Sequence, residues 1–111
     1  MNKYNNKKKT VCGITFDSEK EADRFLFLRH RELRGEIRNL KLQEEFTLQN
    51  AFVDSGGEKH KAIKYRADFT YWETDDCAAR FVIEDVKGYR TKEYMMKKKM
   101  MAANGWMITE V

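Results

Sequence analysis

Phe81-Val82-Ile83-Glu84-Asp85-Val86-Lys87-Gly88 decides the reading of this chain. An apolar extended run closed by glycine reads as a buried strand that ends on charges of opposite sign. Side chains alternate across a strand, so Asp85 and Lys87 share one face and Glu84 takes the other. A carboxylate and an ammonium at the end of an apolar strand are costly unless they pair or hold something between them. A hydrated divalent cation next to a phosphate is one such thing.

The preceding strand, Lys64-Tyr65-Arg66-Ala67-Asp68-Phe69-Thr70-Tyr71, reaches the first through a loop at residues 73–79. With the turn near Asp75-Asp76, antiparallel pairing sets Asp68 opposite residues close to Asp85. The pattern is Asp68, sixteen intervening residues, then Asp85-x-Lys87. It resembles the signature of the PD-(D/E)XK nuclease superfamily, in which an aspartate, an Asp or Glu, and a lysine two residues later hold Mg2+ and activate water. Ala67 stands where that motif has proline.

Outward from these strands, residues 1–9 read as a flexible basic tail and 10–111 as a single domain. Thr10 to Phe16 is a short extended segment. Ser18 as N-cap with Glu21 three residues on forms a capping box and opens a helix, with Phe16 as its hydrophobic staple. Ala22, Phe25, Leu26 and Leu33 keep helical spacing, and Gly35 is the stop. Glu36 to Leu42 reads as a connection and Gln43 to Val53 as the first main strand. Asp54-Ser55-Gly56-Gly57-Glu58 is a turn, and Lys61 to Trp72 alternates as one strand with Asp68 on its polar face. After Gly88, Thr91 caps a second helix that runs to about Ala103 and stops at Asn104-Gly105. Its Tyr94, Met95, Met96, Met100 and Met101 are expected to pack on the sheet. Trp106 to Val111 is a last strand, parallel to the central one.

The expected class is therefore α/β (α+β), in the order α-β-β-β-α-β, with a central mixed sheet flanked by helices. That order is also the minimal core of the PD-(D/E)XK fold. Phe16-Asp17-Ser18 to Glu21, Leu40-x-x-Gln43-x-x-Phe46-x-Leu48, Tyr65-x-Ala67-Asp68-Phe69-x-Tyr71 and Val82-x-Glu84-Asp85-Val86-Lys87-Gly88-x-x-Thr91-x-x-Tyr94 carry a finer resemblance. The chain is similar to a small phage-borne family of PD-(D/E)XK-like proteins of largely unassigned function, akin to phage-type Holliday junction resolvases and the nuclease subunit of heteromeric transposases.

The resemblance implies a metal-dependent DNA endonuclease, for which branched DNA or recombination intermediates, nicked or flapped DNA, transposon ends and plain duplex are all open as substrates. Asp68, Asp85 and the main-chain carbonyl of Val86 are then the Mg2+ ligands, with Mn2+ able to substitute, and Lys87 serves the attacking water. Some branches add a glutamate from the first helix, a role that falls on Glu21; the capping box explains the same residue without a metal. Glu84 is expected to be structural, and Gln43 and Tyr94 to lie at the site edge.

Composition agrees with an anionic partner. The 111 residues carry a formal charge of +4 and are 36% charged. Lys7, Lys8 and Lys9 precede the site, and Lys92, Lys97, Lys98 and Lys99 follow it, as a DNA-binding surface requires; each cluster also reads as a solvated face. Cys12, Cys77, His30 and His60 are not at paired ligand spacing, so no zinc site is expected. No apolar run reaches membrane-spanning length and the basic N-terminus lacks a signal-peptide core, so a cytoplasmic location is expected, that of a bacterial host if phage-encoded. A core this small suggests a homodimer or a partner protein for specificity. Two other readings stay open: a nucleic-acid-binding module without catalysis, and a structural phage protein.

Overall fold

The computed structural model describes residues 7–75, 77–86 and 90–111. Along the chain run β1 (Lys9–Val11), β2 (Ile14–Phe16), α1 (Glu19–Leu33), β3 (Ile37–Leu42), β4 (Glu45–Gln49), β5 (Phe52–Val53), β6 (Lys59–His60), β7 (Ile63–Arg66), β8 (Phe69–Thr74), β9 (Ala79–Asp85), α2 (Lys92–Ala103) and β10 (Ile108–Glu110). The helix boundaries follow from their caps. The Ser18 hydroxyl accepts from the Glu21 amide at 3.1 Å, and the Thr91 hydroxyl accepts from the Tyr94 amide at 3.0 Å. Each satisfies a first-turn N–H that has no intrahelical partner. Beyond the last turns, Gly35 and Gly105 sit at φ +79° and +88°, where a side chain would be strained.

The fold is mixed α+β, as expected. Its main sheet has the order β10-β9-β8-β3, in which β8 pairs antiparallel with both β3 and β9, and β10 lies parallel to β9. Consecutive β9 residues belong to opposite faces. Val82 joins Phe25 and Leu28 of α1 with Phe16, Ile37, Phe69 and Tyr71. Ile83 joins Tyr94 and Met101 of α2 with Tyr65, Ala67 and Ile108. Both faces of β9 are therefore buried, and Val82 to Asp85 are buried without interruption. Among the described residues no helix is long and apolar enough to cross a membrane.

Four expectations are corrected. The first strand of the main sheet is β3, the segment expected to be a connection, while β4 from the expected first strand pairs with β7 in a separate two-stranded sheet. A register shift between Arg38 and Lys41, with Asn39 at φ +57°, spaces Ile37, Leu40 and Leu42 by three and then two, which removes the period-two signal. The expected Lys61–Trp72 strand is two strands, β7 and β8, and the chain changes sheet at Ala67-Asp68. In α1 Ala22 and Phe25 are buried as their spacing predicts, but Leu28 is fully buried with them while Leu33 is 68% exposed. Lys9, the last residue of the expected tail, is the first of β1.

Candidate metal centre

The change of sheet that breaks the long strand also builds the site. At this corner the Ala67 amide donates to the Glu44 carbonyl at 3.0 Å and the Gln43 amide donates to the Asp68 carbonyl at 3.2 Å. Gln43 itself adopts φ +58°, so the β3–β4 and β7–β8 connections bend at the same place. Phe69 is the register partner of Glu84, which puts Asp68 beside the end of β9 where Asp85 lies. The first turn of α1 brings in Glu21. Glu21 of α1, Asp68 of the β7–β8 connection and Asp85 of β9 bring three carboxyl groups to one end of the main sheet.

Their contacts form a chain with Asp68 in the middle. One Asp68 oxygen, Oδ2, accepts from the Val86 amide at 2.8 Å, and the carboxyl lies within hydrogen-bonding reach of Asp85 and of Glu21. Glu21 Oε1 accepts from Gln43 Nε2 at 3.3 Å, and Asp85 Oδ2 accepts from the Tyr65 hydroxyl at 2.5 Å. Burial pushes the Asp68 carboxyl up to about 8, with the hydrogen bond to Asp85 and the Asp85 charge next in importance, against the pull of the Val86 amide. Glu21 is raised as well, first by burial and then by the Asp17 charge. Burial and Asp85 together raise the Tyr65 phenol, so it remains a donor.

Asp68 and Asp85 border an open cleft of about 310 Å³, lined also by Tyr65 and Arg66 from the sheet side and by Thr91, Glu93, Tyr94 and Lys97 at α2. The donor set is all hard oxygen, and like charges taken out of water hold a proton where a divalent cation would replace it. The residues therefore fit Mg2+ or Mn2+. Glu21, Asp68 and Asp85, read from the sequence as one site, are brought together. Val86 lies beside Asp68, and Lys87 falls outside the described residues. Glu84 points to the α1 face, where its carboxylate receives Arg24 Nε at 2.8 Å and Nη2 at 2.6 Å and also the Tyr71 hydroxyl, a buried structural ion pair.

Of the seven lysines expected to bind DNA, Lys97 lines the cleft and pairs with Glu93 at 3.1 Å. Lys98 pairs with Glu110, and Lys9 with Asp23 on α1. Lys7, Lys8, Lys92 and Lys99 are exposed. Four cleft residues, Tyr65, Arg66, Thr91 and Glu93, were not anticipated as part of the site. Tyr65 looked like one more core aromatic in an alternating strand, and only its 2.5 Å bond to Asp85 distinguishes it. Arg66 follows it and, sitting two residues before Asp68, carried a weak signal as a cation at the same strand end. Among the described residues the donor group whose ligand atoms all lie within 4.8 Å of one another is Asp54, Glu58 and His60, whereas Glu21, Asp68 and Asp85 form a chain of contacts and not one such group. Asp54 there caps its own turn, accepting from the Gly56 and Glu58 amides at 2.9 and 3.0 Å.

Fold and site define a mixed α+β domain that gathers three buried or half-buried carboxyl groups at the end of its main sheet, beside a cleft edged by cations. The chain belongs to the family described as protein of unknown function DUF1064, whose model matches residues 1–108. No curated protein and no solved structure matches it.

Proposed function

We propose that the protein is a Mg2+-dependent endodeoxyribonuclease of the PD-(D/E)XK kind, with branched DNA or recombination intermediates as its substrates. The observation that carries this reading is the convergence of Glu21, Asp68 and Asp85, with the Asp68 carboxyl pushed up to about 8 by burial and by Asp85. A buried carboxylate cluster bordered by a cleft is an electrostatic arrangement that a divalent cation stabilises. Support also comes from the order α1, β3, β8, β9, α2, β10, with β10 parallel to β9.

Asp68 and Asp85, with Glu21 and the Val86 carbonyl, would hold Mg2+. Bound there, the ion lowers the pKa of an attacking water and neutralises charge on the phosphate. The Val86 amide and the Tyr65 hydroxyl each hold one carboxylate oxygen of the pair, which fixes the orientation of the others. Arg66 and Lys97 at the cleft wall position the phosphodiester. Lys87, two residues after Asp85, takes the proton of the attacking water or stabilises the phosphorane oxygens. Water oxygen bonds to phosphorus, the bond to the 3'-oxygen breaks, that oxygen takes a proton from solvent, and the products carry a 5'-phosphate and a 3'-hydroxyl. Specificity comes from a homodimer or a partner protein.

The test is single-turnover cleavage of a panel of junction, flap, duplex and single-stranded DNA with Mg2+ or Mn2+. Wild type should cut at least one of them. Lys87→Ala should bind DNA and Mn2+ almost normally while cleavage falls by on the order of 100-fold. Cleavage retained in Lys87→Ala and in Asp85→Asn sinks the mechanism.

A further inference from the structure

On the α2 face of the main sheet, five aromatic rings form a continuous row that ends at the carboxyls. Trp72 lies 5.2 Å from Phe81, Phe81 5.9 Å from Trp106, Trp106 5.6 Å from Phe46, and Phe46 6.4 Å from Tyr65 between ring centroids. Tyr65 donates to Asp85. Two of the rings surface, Trp72 at the far end, 36% exposed, and Trp106 in the middle of the row, 42% exposed. Adjacent planes meet at 51° to 70° from Trp72 to Trp106 to Phe46, so these rings do not cover one another's faces as a parallel stack would.

Cations stand at both ends of the row. Arg38 is the register partner of Trp72, which puts it on the same face, and it is exposed with no ion pair among the described residues. Arg66 borders the cleft at the other end. Phe81 and Asp85 are four residues apart on β9, about 13 Å at roughly 3.3 Å per residue. An apolar π-surface flanked by cations fits a ligand with flat bases and an anionic backbone. Duplex bases, stacked on each other, offer no faces to such a surface.

We propose that Trp72, Phe81, Trp106 and Phe46 form a stacking platform for the unpaired bases of a nucleic-acid strand, with Arg38 and Arg66 on its phosphates. The platform deepens the nuclease reading and rests on it for one step only, the delivery of the strand's phosphodiester to Asp68 and Asp85. In that combined form the enzyme cuts next to single-stranded or frayed segments.

Both tryptophans of the chain lie in this row, so intrinsic fluorescence reports on the platform alone. The experiment titrates the protein, in EDTA, with an oligodeoxythymidylate and separately with a blunt duplex, following tryptophan quenching and the anisotropy of a labelled strand. The single strand should quench, and Trp72→Ala and Trp106→Ala should each weaken its binding about tenfold, within the usual range for one lost base stack. Their duplex affinity should stay within about twofold. Arg38→Ala, on an exposed side chain, should weaken single-strand binding and reduce its salt dependence, and serves if a tryptophan variant fails to fold. Absence of quenching, or unchanged affinity in folded variants, overturns the proposal. So does a dimer in sedimentation that the tryptophan variants dissociate, because the face is then a protein interface. No cleavage occurs without a divalent cation, so a catalytically silent protein passes or fails on binding alone.

Discussion

Asp68 is a carboxyl held against its ordinary charge state by burial and by Asp85. A carboxyl raised from an ordinary 3.8 to about 8 binds a proton more tightly in the folded state than in the unfolded one. Its contribution to stability is therefore complete below about pH 4 and is lost as pH rises to about 8. Glu73 and Glu110 act in the opposite sense. Hydrogen bonds from Arg80 and Tyr94 hold them below the usual carboxylate range, so their contribution is present above about pH 4.5 and is lost on acidification. In a cation-free buffer the melting temperature should thus peak in mildly acidic solution and decline toward pH 8.5. Asp68→Asn should flatten the alkaline decline, and Mn2+ should raise the melting temperature more at pH 8.5 than at pH 5.5. A melting curve indifferent to Mn2+ at both pH values would remove the metal centre. Glu21 poses a narrower question. Glu21→Gln keeps the backbone cap from Ser18 and the length of the side chain but loses the charge. Lost cleavage with stability within about 0.5 kcal/mol of wild type marks a ligand, since the loss of a cap costs about 1 kcal/mol.

At the scale of elements, the two helices carry the separate cores and the caps set their ends. Leu28 is fully buried against the sheet, whereas Leu33 is mostly exposed on the same helix. Leu28→Ala should cost about 2–5 kcal/mol in denaturant unfolding, and Leu33→Ala under about 0.5 kcal/mol. A reversal would mean that α1 packs through the face given by the spacing of Leu26 and Leu33. The helices were legible because Ser18-x-x-Glu21, Thr91, Gly35 and Gly105 are local signals of hydrogen bonding and backbone freedom. The strands were less so. Tyr65, Ala67, Phe69 and Tyr71 keep one alternating phase through the corner at Asp68, and a period of two does not reveal that the chain has moved to another sheet. β3 was hidden by its bulge. The carboxylates were found because Asp68 and Asp85 sit at strand ends, where charge needs a reason. Tyr65 was missed because the need for a polar partner is invisible in an aromatic that also fits the core.

Across the whole molecule, 22 basic residues face 18 acidic ones, yet many of the cations are engaged internally: Arg24 with Glu84, Arg80 with Glu73, and Arg31 and Arg34 with Glu36. The charge free to meet DNA is smaller than the composition suggests, which makes Lys7 and Lys8 disproportionately important. They are exposed, precede β1, and lie outside every strand and helix. Lys9, by contrast, begins β1 and pairs with Asp23 at 3.1 Å. Removing residues 1–8 should leave the β1–β2 ladder and the melting temperature unchanged. DNA affinity should fall, and the slope of log affinity against log salt should flatten by about 0.9 for each lysine that contacts a phosphate, so by up to about 1.8 for Lys7 and Lys8 and further if Lys3 contributes. The measurement is a fluorescence-anisotropy isotherm on duplex DNA at four salt concentrations for both proteins. An unchanged slope assigns duplex binding to cations elsewhere, such as the exposed Lys92 and Lys99 on α2 with Arg66 at the cleft, and their charge-reversal variants should then flatten it instead.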